Sequence, residues 1–159
     1  MNLEQTLTQV FSTNFMAYLH SHIAHVNIVG RNFASDHKLL QKIYEDLQAQ
    51  IDTLAENLRT IRAYMPNSID VIMDNSQILN NPIEGSAEQL LMIVYEDIEV
   101  LIADYRELVR VADEEGAVEI SNFAQDRLLV HQKQCWMLRA TLADRMESYD
   151  MEDEDEELF

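Results

Sequence analysis

Apolar side chains recur at steps of three and four along four long stretches of this chain, the spacing of one helix face. The first runs through Leu3, Leu7, Val10, Phe11, Asn14, Phe15, Tyr18, Leu19, His22, His25 and Val26 and predicts a helix from about Leu3 to Val29. Gly30-Arg31-Asn32 interrupts it. The second carries Leu39, Leu40, Ile43, Tyr44, Leu47, Ile51, Leu54, Leu58, Ile61 and Tyr64 and ends before Pro66, with Ser35 or Asp36 placed to cap its start. Residues 65–85 have no long period, yet Ile69, Val71, Ile72, Met73, Ile78 and Leu79 are too apolar for a free loop, so a short helix is expected inside the connection. Ser86 and Gln89 form a capping box for a third helix, to about Asp113, with Leu90, Val94, Ile98, Leu101, Ile102, Tyr105, Leu108 and Val109 as its stripe. After Glu114-Glu115-Gly116 the fourth runs from about Val118 to Met146 through Phe123, Leu128, His131, Cys135, Leu138 and Leu142. The pattern predicts an all-α four-helix bundle. Its one long connection, between the second and third helices, can return along the bundle and leave those two parallel. An up-down-up-down bundle is the alternative, and it leaves that connection without a purpose.

Composition narrows this further. Three Gly and two Pro in 159 residues, with 47% apolar residues, favour long helices over a β-sandwich. Residues 1–146 read as one domain and 147–159, ESYDMEDEDEELF, as an acidic tail. The tail is expected to be disordered, because it cannot bury enough apolar surface to offset its ordering entropy. The single cysteine, Cys135, excludes an intramolecular disulfide framework. With no basic, apolar leader and no run long enough to span a bilayer, the expected compartment is the cytoplasm, with no membrane partner. A net charge of -18, from 29 acids against 11 Lys plus Arg, argues against direct DNA binding, which rests on cations neutralising phosphates. The lysines are Lys38, Lys42 and Lys133 alone.

Candidate chemistry is concentrated between His25 and Glu56. Asp52 and Glu56 lie four apart on a helical pattern, so their carboxylates leave one face a turn apart and suit a cation. His25 and His37 stand six residues either side of Arg31, facing each other if the helices pack antiparallel about that turn. His37 and Asp52, however, are separated by fifteen residues of one helix, roughly 22 Å. No ion bridges that gap within a subunit. A twofold dimer with this helix antiparallel to its copy brings the acids of one chain to the histidines of the other, giving two identical shared sites.

The string H-V-N-I-V-G-x-x-F-x-x-x-H followed by I-D-x-x-A-E, together with HQKQCWMLRATL at 131–142, resembles the miniferritins, the DNA-binding proteins from starved cells (Dps), over about Leu7 to Leu142. The resemblance implies a ferritin-like bundle and an intersubunit ferroxidase site of His25, His37, Asp52 and Glu56. It also implies iron, Fe(II) and Fe(III), as the metal, hydrogen peroxide rather than O₂ as the preferred oxidant, and a homo-oligomer that is a dodecamer of 23 symmetry storing ferric mineral. Two positions depart from the family: Val26, where many members have Trp, and Gln41, where Asp or Glu is common. Gln41 brings no negative charge, which leaves a one-iron or asymmetric site open beside a di-iron one, and with it an acidic cage or interaction protein whose metal site is degraded. His22 reads as an orienting partner of His25 or as a subunit contact, His20 as solvated, and His131 as a structural hydrogen-bonding group. Trp136 reads as packed with Met137 and Leu138, and Cys135 as an inert small hydrophobe. Glu114, Glu115, Glu119 and Asp126 either line a pore at a threefold axis or form a solvated helix start.

Overall fold

The computed structural model describes residues 1–156, with side chains for residues 1–145, and residues 157–159 lie outside the described residues. Five helices follow in order: α1 (Leu3–Asn27), α2 (Phe33–Thr60), the short α3 (Ile69–Asn75), α4 (Ala87–Glu114) and α5 (Val118–Glu156). Contacts along the seams set their directions. His25 meets His37 beside the α1–α2 turn while Asn14 reaches the Leu47 carbonyl at 2.9 Å, so α1 and α2 are antiparallel. The Leu3 amide donates to Glu115 at 2.9 Å and His20 pairs with Asp97, so α1 and α4 are antiparallel too. Asp46 pairs with Arg127 and Asp36 with Arg145, which turns α5 against α2. The consequence is that α2 and α4 run parallel, as the long connection requires, and α3 within that connection packs on α1.

α1 is the most enclosed helix. Its core line is Leu3, Leu7, Val10, Asn14, Ala17, Ser21 and Ala24, and it fills with small residues the positions where a reader of large apolar side chains sees nothing. The expected stripe had drifted round the helix: Leu19 is exposed and Val26 is 62% exposed. In α2, α4 and α5 the core positions largely follow the expected stripes, with Leu40, Ile43, Leu47, Leu54, Leu58, Leu90, Ile98, Leu101 and Leu138 buried.

Helix ends are where the pattern needs most correction. Neither Ser35 nor Asp36 caps α2; the N-cap is Asn32, which makes no side-chain cap bond, and Asp36 instead takes both Arg145 nitrogens at 2.8 and 2.9 Å. That ion pair draws an acid inward at the helix start, where the dipole also favours it. α2 stops at Thr60 rather than running to Tyr64, because Arg62 turns left-handed (φ 69). The Arg62 amide then bonds to the Arg59 carbonyl and Ala63 to Leu58, closing a Schellman motif. Tyr64 therefore points outward, 78% exposed, under the Arg59 guanidinium. The Ser86–Gln89 capping box forms as expected. α5 continues past Met146 into the acidic segment as far as Glu156, a stretch rich in Glu and Asp with no Gly or Pro to stop it.

Candidate metal centre

The α1–α2 turn holds two imidazoles by a reciprocal arrangement. His25 Nδ1 lies 2.8 Å from the His37 carbonyl, His37 Nδ1 lies 2.7 Å from the His25 carbonyl, and the rings stack with centroids 3.7 Å apart. A carbonyl oxygen only accepts, so both Nδ1 atoms donate, and in a neutral ring the Nε2 carries the lone pair. No Nε2 partner occurs for either ring among the described residues. The His25 carbonyl lies in the last turn of α1, where helix carbonyls lack intrahelical donors, so the bond from His37 also finishes that helix end. The α1–α2 turn thus holds the two imidazoles side by side.

Around them stands an aromatic wall. Tyr44 stacks on His22 at 4.0 Å and 2° and lies 4.9 Å from the His25 ring, while the Tyr18 hydroxyl is 3.2 Å from His22 Nδ1. Within the protomer His22 does not orient His25; the backbone of His37 does that. Gln41, one turn beyond His37, donates its amide to Glu45 at 2.8 Å.

Asp52 and Glu56 sit one turn apart on α2, both exposed in the protomer. They share the helix with His37 but stand fifteen residues or more along it, roughly 22 Å for Asp52. One protomer therefore brings His25 and His37 together, and separately Asp52 with Glu56, but not the two halves. No cluster of three or more His, Cys, Asp or Glu side chains able to hold a metal occurs among the described residues of a single chain.

Two other residues sit differently from expectation. His20 is not solvated; it is 3% exposed, with Nδ1 at 2.7 Å from Asp97, whose carboxyl burial raises above the usual range despite the imidazole. Its signal was the polar line Thr6, Thr13, His20 at seven-residue steps, all buried against neighbours. Asp104 ends the same seam, held by Thr13 at 2.6 Å and Gln9 at 2.8 Å. Trp136 is 57% exposed rather than packed in the core, since α5 turns Cys135 and Leu138 inward and Trp136 away.

His131 behaves as a structural group. Its Nδ1 donates to Gln134 at 2.7 Å, its Nε2 faces Arg127 at 3.3 Å, and Arg127 and Gln134 both reach Asp46, closing a ring of hydrogen bonds in the bundle interior. Burial, then the Arg127 charge, pushes its pKa down to about 4. With both nitrogens engaged, His131 has none left for a metal. Burial works to raise the Asp46 carboxyl, but the Arg127 hydrogen bonds and charge prevail and hold it below the usual range. The Cys135 thiol is buried, and burial followed by Glu99 pushes it up to about 12. That is an inert side chain.

The ferritin-like domain profile matches residues 4–146. The chain belongs to the ferritin-like family. A DNA protection during starvation protein of Helicobacter pylori is 24% identical over 144 residues, covering 90% of this chain and 100% of that protein. The crystal structure of Dps from Vibrio cholerae, a member of a broad superfamily of ferritin-like diiron-carboxylate proteins, superposes with a TM-score of 0.83 at 26% identity, covering 88% of each chain. Dps from Listeria monocytogenes gives 0.85 at 20% identity, over 90% of this chain and 94% of that one. The Dps miniferritin resemblance read from two sequence blocks is borne out, as is the all-α ferritin-like bundle with a short helix between its second and third long helices. Among the described residues, no helix is long and apolar enough to cross a membrane.

Proposed function

We propose that this chain is a miniferritin subunit that binds Fe(II) as substrate at a site shared across a twofold dimer, oxidises it, and stores the ferric product inside a homo-oligomeric cage, a dodecamer by family resemblance. The observation carrying this reading is the reciprocal His25–His37 clamp, which fixes two imidazole lone pairs beside the turn while the carboxylates of Asp52 and Glu56 stand too far along α2 to join them. His25 and His37 hold one cation, Asp52 of a second chain anchors it, and Glu56 of that chain bridges toward a second. Imidazole and carboxylate together suit iron in both oxidation states. Hydrogen peroxide is the oxidant we favour, with O₂ as the other candidate, and the cytoplasm is the compartment where Fe(II) and peroxide meet. Exposed Glu119 and Asp126 are left to line a pore, Glu114 and Glu115 being engaged by Arg110 and the Leu3 amide.

Direct DNA binding is not part of the proposal, because a chain of net charge -18 repels phosphates. A degraded metal site is the second reading, favoured by one observation: Gln41, tied to Glu45, gives a neutral group where family members commonly place a carboxylate. Anaerobic Fe(II) titration followed by peroxide separates the two. Saturable binding that His37→Ala weakens at least tenfold, with oxidation faster than in buffer, supports the ferroxidase; binding and oxidation indistinguishable from buffer leave only the acidic cage.

A further inference from the structure

The three lysines of this strongly acidic chain lie along one seam. Lys42 and Lys133 line a groove of about 210 Å³ between α2 and α5, over Ile43, Val130 and Met137, and Lys38 stands one turn before Lys42. Met137 also borders the next stretch of the seam, about 300 Å³, beside Leu39, Trp136 and Ala140. The two stretches adjoin at Met137, and together they offer apolar side chains, an exposed indole and a basic rim, with Asp46, Gln134 and Asp36 also in their lining. All three lysines are exposed and none makes an ion pair among the described residues. The acids nearby are committed elsewhere: Asp36 to Arg145, Asp46 to Arg127 and Gln134, and Glu45 to Gln41. The rim is thus a set of unanswered positive charges on a molecule of net charge -18.

Only one stretch of the chain has the complementary chemistry. Residues 147–159 carry eight acids and no base, interspersed with Tyr149, Met151, Leu158 and Phe159. We propose that the α2–α5 groove receives the acidic 147–159 segment of a second copy of this chain, acids on the lysine rim and apolar side chains on the floor beside Trp136. Its described part, 147–156, continues α5 beyond the Arg145–Asp36 pair and so leads away from the groove that flanks earlier turns of its own helix; the groove it fills belongs to a neighbour. Each exposed ion pair contributes little and salt screens it, so the docking depends on several pairs acting together with the apolar contacts. A nucleic acid fits less well, because three lysines do not offset the repulsion of phosphates by the rest of the surface.

The test is independent of whether iron binds. Nitrogen-15-labelled and unlabelled full-length chains are reassembled together and treated with a carbodiimide, which joins Lys amines only to carboxylates in contact, and the products are mapped by mass spectrometry. Expected are mixed-isotope amides between Lys42 or Lys133 and the 147–159 peptide, falling several-fold in 1 M salt and to background in K42E/K133E. The charge-swapped chain K42E/K133E/E152K/D153K/E154K cannot form the same amides. Treated in the same way, it is expected to restore mixed-isotope amides of reversed polarity, from the amines introduced in the tail to the carboxylates introduced on the groove rim. Circular dichroism confirms that each variant is folded. Absence of lysine–tail amides in the wild type, or amides of a single isotope only, overturns the proposal. So does retention of a DNA duplex that K42E/K133E abolishes while no tail amide forms.

Discussion

At the scale of single residues, the interior of the bundle is stabilised by polar groups whose protonation is set by burial. His131 is the clearest case. The unfolded imidazole takes up a proton near pH 6.5, whereas the folded one does so only near 4. Between those values the unfolded chain binds more protons, so stability falls as pH falls through that window, by up to about 3 kcal/mol. Asp46, depressed by Arg127, works in the same direction lower down: its contribution is present above the unfolded carboxylate value and is lost as pH falls through its folded one. Asp97 and Asp104 are raised by burial and oppose this, becoming easier to bury as they protonate. Comparing wild type with His131→Gln cancels Asp97 and Asp104, which stand outside the His131 hydrogen-bond ring. The variant is expected to show a flatter urea midpoint between pH 6.5 and 4, and parallel curves count against the assignment. Cys135 yields a second expectation at this scale: with its thiol near 12 and its side chain buried, iodoacetamide at pH 8 leaves the folded protein unmodified and alkylates it in urea. The inertness of Cys135 and the structural role of His131 were legible from their positions in the final helix. Burial of His20 showed only as the seven-residue polar line it shares with Thr6 and Thr13, and its partner Asp97, seventy-seven residues away, is announced by nothing local.

At the scale of elements, the helices were legible because their periodicity is long and few breakers intervene, while their ends depended on single backbone conformations. Gly116 (φ 72) stops α4 where the sequence says it should, since glycine adopts the left-handed conformation without penalty. Arg62 stops α2 in the same conformation without being glycine, and so left no mark in the pattern. That difference makes a prediction: Arg62→Gly relieves a left-handed side-chain penalty at an exposed position and raises stability by about 0.5–1 kcal/mol, read as a higher urea midpoint. No gain, or a loss, would mean the Arg62 side chain contributes more than its backbone costs. Ser86→Ala tests the other kind of end. It removes the hydroxyl that accepts from the Gln89 amide, an expected loss of about 1 kcal/mol. The short α3 was foreseeable from the apolar residues in an over-long connection and not from periodicity, because seven residues give too few turns for a periodic signal.

At the scale of the whole molecule, the proposed iron site divides a single chain into two half-sites that never meet within it, His25 and His37 at one end of α2 and Asp52 and Glu56 well along the same helix. The sequence offered both candidate halves by residue type and spacing, and their separation along one helix pointed to a second chain; the contact between chains lies outside the fold of one. Mixing variants tests that relation directly. A chain lacking both imidazoles (His25→Ala/His37→Ala) and a chain lacking both carboxylates (Asp52→Ala/Glu56→Ala) are each expected to bind no Fe(II) tightly as homo-oligomers. In a twofold dimer of one with the other, one site takes the imidazoles of the second chain and the carboxylates of the first and is intact, while the other site loses everything. Random reassembly makes about half the dimers mixed, so recovery of up to about one quarter of the wild-type sites is expected. If each site lay inside one subunit, neither variant could repair the other at any ratio. Recovery near zero from a mixture shown to have exchanged chains therefore removes the shared site, whatever the separate variants do.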